Sequence, residues 1–331
     1  MRLTEADIAR FQQDFADLEG ALNAAIVGQD RVVGEVMLAV LAGGHVLLEG
    51  LPGLGKTNLV KALAGAMGVT LGRVQCTPDL MPSDITGSDI FVDGGGGASH
   101  RVEFRPGPMF APMVLVDEVN RATPKTQAAL LEAMQEGRVT YGGTRHTLPQ
   151  PFWVLATQNP IELEGTYPLP EAQLDRFLFK IRIAFPSEDA LLSLIDSALD
   201  REPADEVGLV VSTERIVEMM AQARETAIAE PVKRAAIDLV LATHPERPTA
   251  HARARTHFRC GASPRALQAL LRVARVRALA SGRGHVSVDD VAASVLPALR
   301  HRILLTIESE LDGTDMDAVL ADIVAEWRRT S

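Results

Sequence analysis

The sequence predicts an α/β fold, a parallel sheet flanked by helices, followed by a smaller all-helical unit, and three observations predict it. The apolar run His45-Val46-Leu47-Leu48 leads directly into a glycine-rich loop and then a helical pattern. Further short apolar runs at 113–116 and 152–157 alternate with helical periods, as strands joined through crossover helices do. Beyond Pro186 strand patterns largely cease and helical periodicity continues to the end. That shift of period near residues 184–188 divides the chain into an α/β core, 1–186, and a helical domain, 187–331.

Composition narrows the function classes. With 331 residues, 47% of them hydrophobic, the chain can bury a sizeable core. The formal charge of -10, from 33 basic and 43 acidic residues, disfavours general attraction to nucleic acid and favours protein partners. The most apolar long segment, 36–48, is too short to span a bilayer, so no membrane insertion is expected. Glu5 and Asp7 stand where a signal peptide would be basic, which points to the cytoplasm. Cys76 and Cys260 are too far apart in sequence to suggest a disulfide framework.

Taken in order, residues 3–24 form an amphipathic helix with Thr4 and Asp7 as a capping box and Ile8, Phe11, Phe15, Leu18 and Leu22 as its apolar stripe. The turn at Ile26-Val27-Gly28-Gln29 follows, and Val27 and Gly28 could flank an adenine ring. A second helix, 31–42, is stopped by Gly43-Gly44. The strand at 45–48 then opens into Gly50-Leu51-Pro52-Gly53-Leu54-Gly55-Lys56-Thr57, which fits G-x-x-x-x-G-K-[ST] at every fixed position. Glycines let backbone N–H groups turn inward around phosphate oxygens. Lys56 adds charge at the β/γ-phosphates, Thr57 supplies an oxygen for Mg2+, and the helix running on through Asn58 directs its positive end at the nucleotide.

Residues 73–76 are a short strand, and 89–92 and 101–104 form a hairpin around the tip 93–99. Phe91 and Phe104 on it are either a contact surface or packing against the domain. The strand at 113–116 ends in Asp117 and Glu118, suited to phosphoryl transfer to water: the first carboxylate holds the Mg2+ shell and the second orients or deprotonates the water. A helix at 124–135, stopped by Gly137, precedes a second hairpin, 138–141 and 144–147, about Gly142-Gly143. The strand at 152–157 ends near Asn159, which could reach the γ-phosphate or the attacking water. A fifth strand, 177–185, follows Asp175-Arg176. Helical patterns then occupy 188–199, 213–229, 231–242, 264–280, 287–296 and 316–327. His251, His257 and Cys260 lack a familiar zinc spacing, and Arg253, Arg255 and Arg259 read as a solvated or subunit-facing patch.

The loop at 50–57, the run 114–121 (VLVDEVNR), 156–160 (ATQNP), Asp175-Arg176-Phe177 and 261–266 (GASPRA) together resemble the MoxR family of AAA+ ATPases, from Ile26 to about Leu305. The resemblance implies that Lys56 and Thr57 are the Walker A pair, Asp117 and Glu118 the Walker B pair, and Asn159 the first sensor. It implies an arginine finger at Arg176 and a second sensor at Arg265. The hairpin at 89–104 looks like the insertion in the second helix that marks this clade, and that at 138–147 like the pre-sensor hairpin. From residues alone Arg176 could be a surface cation paired with Asp175, and Arg265, at a helix start after Ser263-Pro264, opposes the helix dipole unless it is aimed at a phosphate.

The function expected is an ATPase using ATP and Mg2+, assembled as a homo-oligomeric, hexameric ring that remodels or matures protein clients. The family adds a partner carrying a von Willebrand factor A domain and a role in metal-cofactor insertion. A motor or loader acting on nucleic acid is the alternative, against which the charge speaks. A small-molecule kinase is a third reading, disfavoured by the acid pair at Asp117 and Glu118.

Overall fold

The computed structural model describes residues 3–93, 100–160, 165–192, 195 and 207–330. The glycine tip at 94–97 and most of the second half of the helix expected at 188–199 lie outside the described residues. Among the described residues no helix is long and apolar enough to cross a membrane.

Helix α1 (Glu5–Ala25) opens with the expected box, Asp7 N–H donating to Thr4 Oγ1 at 3.2 Å and Thr4 N–H to Asp7 Oδ2 at 2.9 Å. Helix α2 (Asp30–Leu41) follows and ends where Gly43 takes φ 68. Next come β1 (Val46–Glu49), α3 (Lys56–Ala66), β2 (Leu71–Gln75), the short α4 (Pro82–Thr86) and the hairpin strands β3 (Gly87–Asp93) and β4 (His100–Pro106). Then follow β5 (Met113–Asp117), α5 (Pro124–Glu136), the hairpin β6 (Arg138–Tyr141) and β7 (Thr144–Thr147), β8 (Trp153–Gln158), α6 (Glu171–Leu174) and β9 (Phe179–Arg182). The central sheet runs β2-β5-β8-β1-β9 with every pairing parallel, so the loops after β1, β5 and β8 emerge at one edge.

Side-chain alternation along β1 divides the interior. Val46 and Leu48 join a cluster with Phe11, Phe15, Val33, Val36 and Phe179, while Leu47 points to the other face, against Val114, Val154, Leu131 and Phe177. The first cluster continues unbroken into the later helices through Ile216, Met219, Leu239, Leu270, Val273, Leu299, Leu320 and Trp327. Trp153, fully buried, ties α2 to the sheet by donating Nε1–H to the Val40 carbonyl at 2.9 Å.

The lid comprises α7 (Thr213–Glu225), α8 (Glu230–Ala242), α9 (Ala252–His257), α10 (Pro264–Ala280), α11 (Val288–Ala292), α12 (Val295–Leu299), α13 (Ile307–Leu311) and α14 (Met316–Thr330). The single helix expected at 287–296 is two short ones, and a small antiparallel ladder, β10 (Phe258–Cys260) with β11 (Leu304–Leu305), joins segments too short for periodicity to reveal. The fifth strand is narrower than the expected 177–185, because Phe177 turns into the second cluster before pairing with β1 begins.

The two phenylalanines of the first hairpin part company. Phe91, opposite Val102, is 81% exposed. Phe104 is not a free contact: it stacks on His146 with ring centroids 3.9 Å apart and meets Phe110 and Tyr141. Phe104 lies two positions nearer the hairpin's base than Val102, where the second hairpin covers that face.

Candidate active site

Gly53 and Gly55 in the loop after β1 have φ of 81° and 76°, and nothing crowds a Cβ built at either. The torsion itself requires glycine there, since other residues lose about 1–2 kcal/mol in that region. Gly55 is also the N-cap of α3 and makes no side-chain cap bond, so the first N–H groups of that helix are left to a ligand. They border a cavity of about 350 Å3 whose near wall is Pro52, Gly53, Leu54, Gly55, Lys56, Thr57 and Asn58. Lys56 Nζ donates to the Gly50 carbonyl and to the Leu51 carbonyl at 2.9 Å, folding over its own loop.

The far wall is built by the ends of β5 and β8. Asp117, 5% exposed, accepts on Oδ1 from Thr57 Oγ1 at 3.3 Å and Thr157 Oγ1 at 3.4 Å, and on Oδ2 from Arg73 Nε at 3.1 Å. Glu118 turns out of the strand at φ 56, ψ 51 and presents Oε2 to Gln75 Nε2 at 3.2 Å and Arg121 Nη1 at 3.1 Å. Its own N–H donates to Thr157 Oγ1 at 2.9 Å, so this buried threonine joins the backbone of one acid to the side chain of the other. Asn159, 6% exposed, completes the wall. The oxygens of Thr57 and Asp117 stand at about the separation of neighbouring ligands around an octahedral Mg2+, and hard oxygen donors are the chemistry that ion takes. Burial and the nearby Asp117 and Glu118 charges push the Cys76 thiol up to about 12, which makes this neighbour of the site a poor nucleophile.

Not every predicted residue joins this cavity. Gly50 packs under Ile183, where an added Cβ would come within 3.0 Å, and reaches the site only through its carbonyl's bond from Lys56. Val27 and Gly28 do not line the cavity: Gly28, at φ 75, lies so close to Ala190 that a Cβ would approach to 2.5 Å. Arg176 and Arg265 do not line it either. They border a second cavity of about 280 Å3 with Arg272 and Arg302, whose wall includes Gly43, Gly44 and His45, the residues entering β1. The phosphate loop leaves the other end of that strand, so roughly 15 Å of strand separates the two sites.

At this second site Arg176 Nε donates to Gln135 Oε1 at 2.9 Å, and Arg265 Nε lies 3.9 Å from Asp175 Oδ2. His45 is partly buried there; its Nδ1 accepts from the Val154 N–H at 3.0 Å and its Nε2 faces the Met134 carbonyl at 3.2 Å. Burial holds this imidazole neutral, lowering its pKa to about 4.

Sequence reasoning missed Arg73, Gln75, Arg121 and Thr157. A signal existed for the first two: residues two apart on one strand share a face, and β2 pairs Gln75 with Asp117. It becomes readable only once β2 is known to lie beside β5.

Residues 45–179 match the family model described as ATPase family associated with various cellular activities (AAA), and residues 250–323 match an AAA lid domain. The chain is 40% identical over 297 residues to Chaperone MoxR1 of Mycobacterium tuberculosis, covering 89% of this chain and 77% of that protein. The chain belongs to the MoxR family of AAA+ ATPases. An uncharacterised Bacillus subtilis protein, YeaC, is 39% identical over 321 residues, covering 95% of this chain and 96% of the relative. A solved structure from Cytophaga hutchinsonii, assigned as an ATPase, superposes with a TM-score of 0.87 at 36% identity, covering 96% and 95% of the two chains. This MoxR-family member hydrolyses ATP, and the cavity beside Lys56 is where the glycine loop, Asp117, Glu118 and Asn159 come together.

Proposed function

We propose that this MoxR-family ATPase is a chaperone-like machine that works as a homo-oligomeric ring, with each nucleotide site completed by Arg176 and Arg265 of the adjacent subunit. The observation that carries the reading is the division just described: loop, acids and Asn159 at one end of β1, the two arginines at the other. An arginine that cannot reach its own phosphates serves the transition state by crossing a subunit boundary.

In this reading the N–H groups of the loop and of α3 hold the phosphates, and Lys56 leaves the Gly50 and Leu51 carbonyls for the β/γ-oxygens. Thr57 and Asp117 would hold Mg2+, which would supply positive charge beside the phosphates. Glu118 Oε2 leaves Gln75 and Arg121 to take a proton from the attacking water, and Asn159 orients that water. Charge developing on the transferred group is met by the neighbour's Arg176 and Arg265. The core is residues 1–186 and the lid 187–331, in a six-membered ring in the cytoplasm. The client is a protein, presented with a partner carrying a von Willebrand factor A domain, and the outcome is maturation, including metal-cofactor insertion. The name of the Mycobacterium relative and the exposed Phe91 support a protein client.

The test is subunit mixing. Arg176→Ala subunits keep an intact loop and Lys56→Ala subunits keep an intact arginine, so the mixture should release phosphate faster than either protein alone. No recovery, or full activity in a demonstrably monomeric sample, would refute completion of the site in trans.

A further inference from the structure

The lid supplies a buried arginine to the chain segment that carries Arg176. Arg302 follows α12, and its side chain is 3% exposed. A guanidinium has five N–H donors, and a buried one is tolerated only when they are satisfied. Here all five are. Nε donates to Asp175 Oδ1 at 2.7 Å. Nη2 donates to the Asp175 carbonyl at 3.1 Å and the Phe177 carbonyl at 2.7 Å. Nη1 donates to the Leu178 carbonyl at 3.1 Å and to the Ala298 carbonyl of α12. Four of the five bonds therefore fall on residues 175, 177 and 178, on both sides of Arg176 and never on Arg176 itself. His301 adds a contact from Nε2 to the Phe177 carbonyl at 3.0 Å.

Asp175 is the hinge of the arrangement. Its Oδ1 also accepts from Ser263 Oγ at 2.9 Å, and its Oδ2 faces Arg265. Ser263, Arg265 and Arg302 all come from the lid, so the lid grips the peptide units around Arg176, while that side chain bonds to Gln135 on α5.

We propose that Arg302, through its fork onto Asp175, Phe177 and Leu178, is the positioning residue that aims Arg176 at the adjacent subunit's nucleotide and locks its posture to the lid. Arg302 lies behind the reacting groups and acts through Arg176. A lysine offers one rotatable ammonium with three donors, so it can keep the Asp175 contact and cannot bracket the three carbonyls. This assignment rests on the reading of Arg176 as an arginine that works in trans.

The experiment separates the giving and the receiving side of a subunit. Arg302→Gln should lower ATPase activity at least tenfold while leaving the Kd for a fluorescent ATP analogue unchanged, since the phosphate loop is remote. Mixed with Lys56→Ala subunits, which have a sound Arg176 and no working loop, Arg302→Gln should recover to the level of the Arg176→Ala plus Lys56→Ala mixture. Mixed with Arg176→Ala subunits, it should recover nothing. Arg302→Lys should give intermediate activity with the same one-sided pattern. Equal recovery in both mixtures, recovery in neither, or wild-type activity of Arg302→Gln alone would overturn the proposal. If Arg302→Gln does not fold, Ser263→Ala decides, because it removes one partner of Asp175 without stranding a charge. It should show a two- to fivefold donor defect with unchanged analogue binding, and an unaltered donor would overturn the assignment. Should the control mixture of Arg176→Ala and Lys56→Ala itself show no recovery, the reading of Arg176 in trans fails and takes the role of Arg302 with it, an outcome distinct from failure of Arg302 alone.

Discussion

The two ends of strand β1 carry opposite chemistry. Where β1 leaves the sheet, two carboxylates, Asp117 and Glu118, face the phosphate loop and are steadied by Arg73 and Arg121 at the rim. Where β1 enters it, Arg176, Arg265, Arg272 and Arg302 line one cavity with Asp175, which pairs with Arg265 and Arg302. The first end has the chemistry to bind phosphate and activate water; the second has the cations to stabilise charge and no phosphate cradle. Under the proposal of completion in trans, complementary half-sites on opposite edges of one subunit are what a head-to-tail contact needs, and such a contact gives a ring where its rotation closes. The contrast also distinguishes how each end is held. The acid end is fixed by local loop and strand geometry, the arginine end by side chains brought from the lid.

The largest effect should come from emptying the arginine end. Arg176→Ala is expected to lower kcat by about 10³-fold or more, the range removal of an arginine finger produces, with nucleotide affinity unchanged. A normal rate of phosphate release from this variant would erase the functional distinction between the ends. Next in size, Glu118→Gln should cut hydrolysis by about 10²–10⁴-fold while retaining ATP, whereas Lys56→Ala should lose binding. Filter-binding and turnover measured on both proteins would sharpen the division between cradle and base, and a fast Glu118→Gln enzyme would remove the base from the acid end.

Acid should weaken the arginine end through His45. Its pKa falls from 6.5 in the unfolded chain to about 4 in the fold, so the unfolded state binds more protons between those values. The full contribution is present above pH 6.5 and is lost as pH falls through 4, at which point the cost is on the order of 3 kcal/mol. Denaturant midpoints should drop over that window, and His45→Gln should flatten the drop; identical slopes would exclude His45 as the cause. The smallest effects belong to the hairpins, which serve neither end. Phe104→Ala should destabilise by about 1–3 kcal/mol through loss of its ring contacts, and Phe91→Ala by less than about 0.5 kcal/mol. Thermal unfolding of the two variants checks this, and equal destabilisation would contradict the difference in their packing.

What could be read from the sequence was what is local. The loop at 50–57, the strand that ends in Asp117-Glu118 and the capping box at Thr4 are spelled by neighbours along the chain, and the structure holds each of these elements where its pattern implied. Gly137 stops α5 at φ 61, as a glycine at that position suggests. Whatever depends on pairing was illegible. Thr157 bridges the acids because β8 lies beside β5, and Arg73 reaches Asp117 because β2 lies on the other side. Arg302 carries no local signal for this role, since its partners around Arg176 are more than a hundred residues away. The turn at Val27-Gly28 was legible as a turn, yet its tight approach to Ala190 is a tertiary fact. Alternation marked both Phe91 and Phe104 as strand residues and could not tell which one the second hairpin would cover.

Glu118 has one more consequence. Among the described residues it is the non-glycine residue with positive φ, a conformation that costs an ordinary side chain about 1–2 kcal/mol and a glycine almost nothing. Its backbone torsion therefore favours a residue with no carboxylate at the position proposed to activate water. Laboratory evolution that rewarded heat resistance alone would gain from that substitution and would drift toward sturdier proteins that no longer turn over ATP. Any such selection on this scaffold has to score turnover in the same round as survival.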